Sequence, residues 1–125
     1  MSSTLFTPYK LGPVTLRNRT IRSAAFESMG KDFGPTRQLK DYHVAVARGG
    51  VGMTTLAYAA VCRSGLSFNK QLWLRPEIVP GLREITDAVH REGAAAAIQI
   101  GHCGNMTHWT TAGQMPIGAS TGFNL

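Results

Sequence analysis

The sequence predicts an α/β fold in which parallel strands are joined by helical crossovers. Three observations predict it. Residues 94–104, Ala-Ala-Ala-Ala-Ile-Gln-Ile-Gly-His-Cys-Gly, start as a short apolar run after Gly93 and end in polar groups, Gln99 and His102, set among glycines. Strand ends of that kind are where open α/β sheets and (β/α)8 barrels place ligands. Residues 77–92 carry Ile78, Leu82, Ile85 and Val89 on one helical stripe. Between two glycine stops, Gly49-Gly50 and Gly93, the run 51–57 has the composition of a strand buried on both faces, with Thr54 and Thr55 favouring extended backbone.

In chain order, residues 5–16 hold Pro8, Gly12 and Pro13 between short apolar pieces, which predicts a small β-hairpin placed as a lid over one end of a larger body. Residues 20–26 are the first strand of the main fold, with a tail of small side chains, Ser23, Ala24 and Ala25, before Phe26. Small side chains there serve either tight packing or the close approach of a ligand to the backbone. Residues 30–35 are loop. Thr36 then caps a helix that runs through Arg48, with Leu39, Tyr42, Val46 and Ala47 on its apolar stripe. His43 beside that stripe reads as a packed or half-exposed residue, not a ligand. The strand 51–57 is followed by Tyr58 at its carboxyl end, a loop over 62–70, and Trp73, which packs that loop on the body. Glu77 near the start and His90 and Arg91 near the end of the second helix suit its dipole. Its four apolar side chains contribute roughly 6–12 kcal/mol gross if a sheet receives them. The strand 94–104 follows, and residues 105–125 show neither strand nor helix periodicity and are expected to be loop.

The order is hairpin lid (1–18), then β-α-β-α-β (19–104), then loop (105–125). Three parallel strands and two helices leave both sheet edges open. A (β/α)8 barrel needs about 250 residues, twice the 125 present. The expectation is therefore the N-terminal part of a longer fold; a partner chain or a second copy completing it is the other reading.

Composition bounds the function. Hydrophobic residues make up 43% and charged residues 16%, a globular balance. No apolar run reaches the roughly 20 residues that span a bilayer. The start, Met1-Ser2-Ser3-Thr4, lacks the basic and apolar regions of a signal peptide. A cytoplasmic protein without a membrane partner is expected. The net charge of +6 comes from 13 Lys and Arg scattered along the chain against 7 Asp and Glu. Without a basic patch or helix face, nucleic acid is not the expected partner; a phosphorylated cofactor accounts for the excess equally well. Cys62 and Cys103 fit neither a disulfide framework nor a zinc spacing, and His102, Cys103 and His108 do not converge as ligands on a persisting strand. No metal site is expected. The chain has no GxGxxG, GxxxxGK[ST] or GxSxG.

Four pieces in order carry a resemblance: Leu16-Arg17-Asn18-Arg19 before the first strand, the small-residue run Ser23–Phe26, Gly50-Val51-Gly52 before the second, and Ala97-Ile98-Gln99-Ile100-Gly101-His102-Cys103-Gly104. Together they resemble the Old Yellow Enzyme family of FMN-dependent ene-reductases, the NADH:flavin oxidoreductase group, whose third strand reads approximately xIQLxHxGR. Pro116-Ile117-Gly118-Ala119-Ser120 is similar to its PxAPS segment. The resemblance covers nearly all of the chain and about the first third of such an enzyme. It implies a (β/α)8 TIM barrel with FMN across the carboxyl ends of the strands and NAD(P)H as reductant. It implies that Ser23, Ala24, Ala25 and Phe26 pass beside the flavin ring, that Tyr58 touches it, and that Gln99 hydrogen-bonds its pyrimidine edge. The expected reaction is hydride transfer from reduced FMN to an activated C=C of a small electrophilic alkene. The alternative is a non-catalytic half-barrel that needs a partner chain.

The sequence departs from the family pattern at three places. Phe26 stands where a side-chain hydrogen-bond donor is frequent, Asn105 where Arg follows His-x-Gly, and Ala119 where PxAPS has Pro. The family's substrate-anchoring His-His or His-Asn pair and its proton-donating Tyr are expected beyond residue 125, so no catalytic residue is assigned here. His102 matches the motif without a chemical role.

Overall fold

The computed structural model describes residues 3–120. Residues 1–2 and the last five of the loop expected over 105–125 lie outside the described residues. The chain enters through an antiparallel hairpin, β1 (Tyr9–Leu11) and β2 (Val14–Leu16), with Tyr9 opposite Leu16. Gly12, at φ 55°, takes the left-handed turn position that a side chain would resist.

A parallel sheet follows, organised on β4 (Met53–Ala60). Its one edge pairs with β6 (Ala95–Gly101) along nearly its whole length. Its other edge is shared: β3 (Ile21–Arg22) pairs at Met53 and Thr54, and β5 (Leu72–Trp73) pairs at Ala59 and Ala60. Two helices, α1 (Arg37–Arg48) and α2 (Val79–Arg91), are the crossovers. Leu39 and Ala47 of α1, Ile85 and Val89 of α2, and Leu56, Ala59, Leu72 and Ala94 from the sheet side form one buried cluster. Ile78, Ile85 and Val89 are buried as the stripe predicts, and Leu82 is half-buried. The Thr36 hydroxyl accepts the Leu39 N–H and so caps α1, as expected.

The amino ends of these elements are tied by the residues of the Leu-x-Asn-Arg motif. Helix C-termini leave carbonyls without partners and carry a partial negative charge. The Arg17 guanidinium meets both helices there. It donates to Glu92 O at the end of α2 (2.8 Å), to Val51 O (3.0 Å) and to Ala47 O in the last turn of α1. Asn18 donates to Gly50 O at 2.7 Å and accepts from the Thr20 hydroxyl at 2.7 Å. Gly52 runs so close beneath that a Cβ would stand 2.5 Å from Asn18 O. The Arg48–Glu92 pair (2.9 Å) joins the same helix ends at the surface.

Several expectations are corrected. The first strand keeps only two residues of the 20–26 predicted, because beyond Thr54 the Arg22 and Glu27 side chains, and not the backbone of 23–26, take up Thr55 O and the Ala57 N–H of β4. The second strand is shifted to Met53–Ala60, so Tyr58 lies within it. Trp73, to which the sequence assigns no element, belongs to a short strand. The second helix starts with a 3-10 turn, Pro76–Ile78, before α2 proper; Pro80, lacking an N–H, sits in the first turn, where none is needed. Of the two glycines after α1, Gly49 stays right-handed and Gly50, at φ 97°, makes the stop. The third strand ends at Gly101, its Gln99 and Ile100 are exposed, and among the described residues no strand pairs with its outer edge. The expected loop 105–125 holds a short helix, α3 (Trp109–Ala112), capped by His108 and closed by Gly113 at φ 74°. Among the described residues no helix is long and apolar enough to cross a membrane.

Replacing Arg17 by Met keeps the aliphatic stem and removes the three donors. Urea unfolding is expected to show a loss of about 2–3 kcal/mol; an unchanged midpoint would mean water serves the three carbonyls equally well.

Candidate functional site

At the carboxyl end of the sheet, β4 contains a bulge. Leu56 pairs with Ile98 and Ala59 with Ile100, so Ala57 and Tyr58 together oppose Gln99 alone. In a regular strand residues 56, 58 and 60 share a face. Here Leu56 and Ala59 both enter the helix-side core, and Tyr58 turns to the opposite face. Bulges re-aim side chains in this way beside functional sites.

The bulge lies where the shared edge of β4 has no backbone partner, between β3 and β5. Two side chains take the place of a strand. Arg22 Nη1 donates to Thr55 O at 2.7 Å, and the Ala57 N–H donates to Glu27 Oε2 at 3.0 Å. Glu27 Oε1 is 2.6 Å from Arg22 Nη1 and 3.0 Å from His43 Nε2. The His43 approach lies off the axis of an aligned N–H bond. His43 is fully buried in α1, and its Nδ1 is 2.8 Å from Thr54 Oγ1. Arg22 also donates to the Tyr42 hydroxyl at 3.0 Å and lies over that ring. Burial raises the Glu27 carboxyl, but contact with His43, the Ala57 N–H and Arg22 outweigh it, and the group is held below its ordinary 4.5. Sequence reasoning missed Glu27 and Arg22; the only signal was an acidic residue directly after the small-residue run.

The residues expected at the site fall around this bulge. Ser23, Ala24, Ala25 and Phe26 continue past β3 outside any strand, with no backbone–backbone hydrogen bond among the described residues. Phe26 is 72% exposed, and its ring meets Phe68 at 4.6 Å between centroids. Phe68 meets Tyr58 edge-on at 6.5 Å. Tyr58 in turn packs over Gly101, where a Cβ would stand 3.6 Å from the ring. Phe68 was not foreseen. Gln99 is exposed and its amide makes no hydrogen bond among the described residues.

His102 acquires a structural role. Its Nδ1 accepts the Gly104 N–H at 2.9 Å, which leaves the proton on Nε2 to donate to Ser64 Oγ at 3.2 Å. The ring lies on Gly65, where a Cβ would stand 2.9 Å away. It brackets the end of β6 to the loop after β4.

The arrangement is a bare, hydrogen-bond-hungry backbone and a free amide beside an aromatic cluster at a strand-end rim. It suits a flat aromatic ligand with a polar edge. The sequence pattern of the NADH:flavin oxidoreductase / NADH oxidase family matches residues 4–121. The chain belongs to this family. Within it, the chain is 48% identical over 100 residues to the 4,4'-dithiodibutanoate disulfide reductase of Rhodococcus erythropolis, covering 80% of this chain and 25% of that protein. It is 45% identical over 115 residues to the probable N-methylproline demethylase of Rhizobium meliloti strain 1021, covering 90% and 17%. A solved morphinone reductase superposes with TM-score 0.81 and 25% identity over 92% of this chain and 32% of its own. The Old Yellow Enzyme homologue of Zymomonas mobilis superposes with TM-score 0.82, 24% identity, over 91% and 32%. The fold is thus that of a (β/α)8 barrel in part. The chain spans a quarter or less of these two sequence relatives and about a third of the solved barrels.

Because the folded-state pKa of Glu27 is depressed, its contribution to stability is complete above 4.5 and is lost as pH falls through the folded value. Unfolding midpoints measured from pH 6 to 3 are expected to fall more steeply for the native sequence than for Glu27→Gln, which is less stable at neutral pH. Parallel curves would contradict the assignment.

Proposed function

We propose that this chain forms part of the flavin site of an FMN-dependent NAD(P)H oxidoreductase of ene-reductase type, as the N-terminal portion (1–125) of a single FMN-binding barrel domain. The observation that carries the reading is the rim itself. Four consecutive residues, Ser23–Phe26, offer unpaired backbone groups beside an exposed amide, Gln99, in the places that the family resemblance assigns to FMN.

FMN, when bound, supplies hydride chemistry, taking hydride from NAD(P)H and delivering it to an acceptor such as the β-carbon of an activated alkene. The chain's own residues bind and orient. Ser23, Ala24 and Ala25 have side chains too small to hold a ring off the backbone, so their N–H and C=O groups reach its polar edge. Gln99 offers two donors and one acceptor to an edge of alternating C=O and N–H. Phe26, Tyr58 and Phe68 shield one side from water. None of these side chains is assigned a proton-transfer step.

The relatives bear on the reductant and on the acceptor. A NADPH dehydrogenase of Listeria welshimeri, 38% identical over 106 residues, supports a nicotinamide reductant. The Rhodococcus erythropolis relative is named for reduction of a disulfide, which supports a second reading: the acceptor is a small organic disulfide, taking the same two electrons at sulfur. Incubating the FMN-loaded protein with NADPH and either an enone or an aliphatic disulfide separates the two, by which one reoxidises the flavin.

The 125-residue chain titrated with FMN is expected to develop a bound-flavin absorption band near stoichiometry; no uptake would overturn a competent flavin site in this chain alone and favour the half-barrel that needs a partner chain. Gln99→Leu is expected to preserve the fold, as judged by circular dichroism, and to weaken FMN by roughly tenfold, the worth of a hydrogen bond or two. Unchanged affinity and flavin potential would remove Gln99 from the site.

A further inference from the structure

The loop between β4 and β5 carries an amide whose two ends have different surroundings. Gln71 is 2% exposed. One end receives the Ser67 backbone N–H at 2.7 Å and lies 3.1 Å from the Ser67 hydroxyl. A backbone N–H can only donate, so that end is Oε1 and the orientation of the amide is settled. Oε1 has no hydrogen, so the Ser67 hydroxyl donates to it. The Tyr58 phenol is hydrogen-bonded to the same Ser67 oxygen. Ser67 has only one hydroxyl hydrogen, already committed to Gln71, so the hydrogen in this second bond belongs to Tyr58. The chain has one direction: Tyr58 donates to Ser67, and Ser67 donates to Gln71.

The other end of the amide, Nε2, is buried without a partner among the described residues. Gln71 lines a cavity with Glu27, Met29, Gly30, Tyr58 and Phe68 that offers about 20 Å³ to the centre of a water molecule, room for one. A buried amide with two unused donors would be replaced by an apolar residue at little cost if packing were its only task. Its acceptor end, by contrast, sets the polarity of a residue at the rim.

We propose that Gln71, acting through Ser67, is a positioning residue that fixes the Tyr58 phenol as a hydrogen-bond acceptor at the rim. The phenol proton points into the loop, so Tyr58 offers only oxygen lone pairs to what binds beside it. The ligand group it takes is an N–H or O–H donor, which a flavin ring or its ribityl chain supplies; this rests on the reading that Tyr58 borders FMN. Tyr58 is correspondingly not a proton donor to the substrate. The latch also holds the bulged segment of β4 from one side, while Glu27 holds it at Ala57 from the other.

The test measures FMN affinity by flavin fluorescence, together with the visible spectrum of the bound flavin, for Ser67→Ala, Ser67→Thr, Gln71→Met, Tyr58→Phe and the double variant Tyr58→Phe/Ser67→Ala. Ser67→Ala and Gln71→Met are expected to weaken FMN about three- to tenfold. Ser67→Thr, which keeps the hydroxyl, restores the native affinity. On the Tyr58→Phe background, Ser67→Ala adds no further loss. An equal loss with and without the phenol, or no loss at all, would overturn the proposal. If the native 125-residue chain takes up no FMN, it is not a competent flavin site alone, and thermal unfolding of the native, two single and double proteins judges the latch: coupled losses at Tyr58 and Ser67 support it, additive losses overturn it.

Discussion

The structure turns on the carboxylate of Glu27. A central strand with two neighbours sharing one edge leaves a stretch of that edge without a backbone partner, at Thr55 to Ala57. An unpaired N–H or C=O in a buried sheet costs about 1–3 kcal/mol. Glu27 and Arg22 fill the gap with side-chain groups, Glu27 accepting the Ala57 N–H and Arg22 donating to Thr55 O. The carboxylate is itself almost fully buried, with 5% of its side chain exposed, and a buried charge stands only where it is paired. Arg22 provides the pairing charge, and His43, 3.0 Å from the carboxylate, reaches on to Thr54 on the same strand. Removing the carboxylate would strip support from the bulge and leave Arg22 and His43 facing each other.

This network and the Arg17 clamp divide the labour along the strands. Arg17 and Asn18 hold the amino ends, where they collect carbonyls from both helices and the start of β4 and touch nothing exposed to a ligand. The carboxyl ends carry the bulge, the bare backbone of Ser23–Phe26 and the free amide of Gln99. In barrels of this kind stability is concentrated at the amino face and chemistry at the carboxyl face. The chain shows that division within its two β-α units. Arg17 and Asn18, which help to mark the family in the sequence, serve the stabilising face.

How much of this the sequence discloses depends on the range of the interactions. The hairpin, α1 with its Thr36 cap, most of α2 and the strand bearing Gln99 are written in local patterns: a Gly-Pro turn, a hydroxyl before a stripe, a stripe before a glycine. The bulge is not. It depends on residues 22 and 27 reaching a strand some thirty positions later, and nothing near Tyr58 announces it. The short strand at Leu72–Trp73 was hidden for the same reason, since two residues have no periodicity and become a strand only because β4 offers them a free edge. His43 shows the limit from the other side: its position beside the stripe told of packing, but not that it closes a polar network. Phe68 and Gln71, in a loop without pattern, gave no signal at all.

Phe26 gives these pieces a common consequence. A side chain that cannot hydrogen-bond occupies the place where the family frequently has a donor, and its ring is held against Phe68, which in turn meets Tyr58. With Phe26 silent and the Tyr58 proton directed into the loop, the donors left at this rim are the backbone N–H groups, the exposed Ser23 hydroxyl and Gln99. The run 23–26 is tied to β4 at its two ends, by Arg22 on Thr55 O and by Glu27 on the Ala57 N–H, so the direction of its backbone donors depends on those two anchors. That geometry is in turn set by the bulge, and so by Glu27. A substitution that relaxes the bulge would therefore be felt at the ligand edge even though Glu27 is buried beneath it.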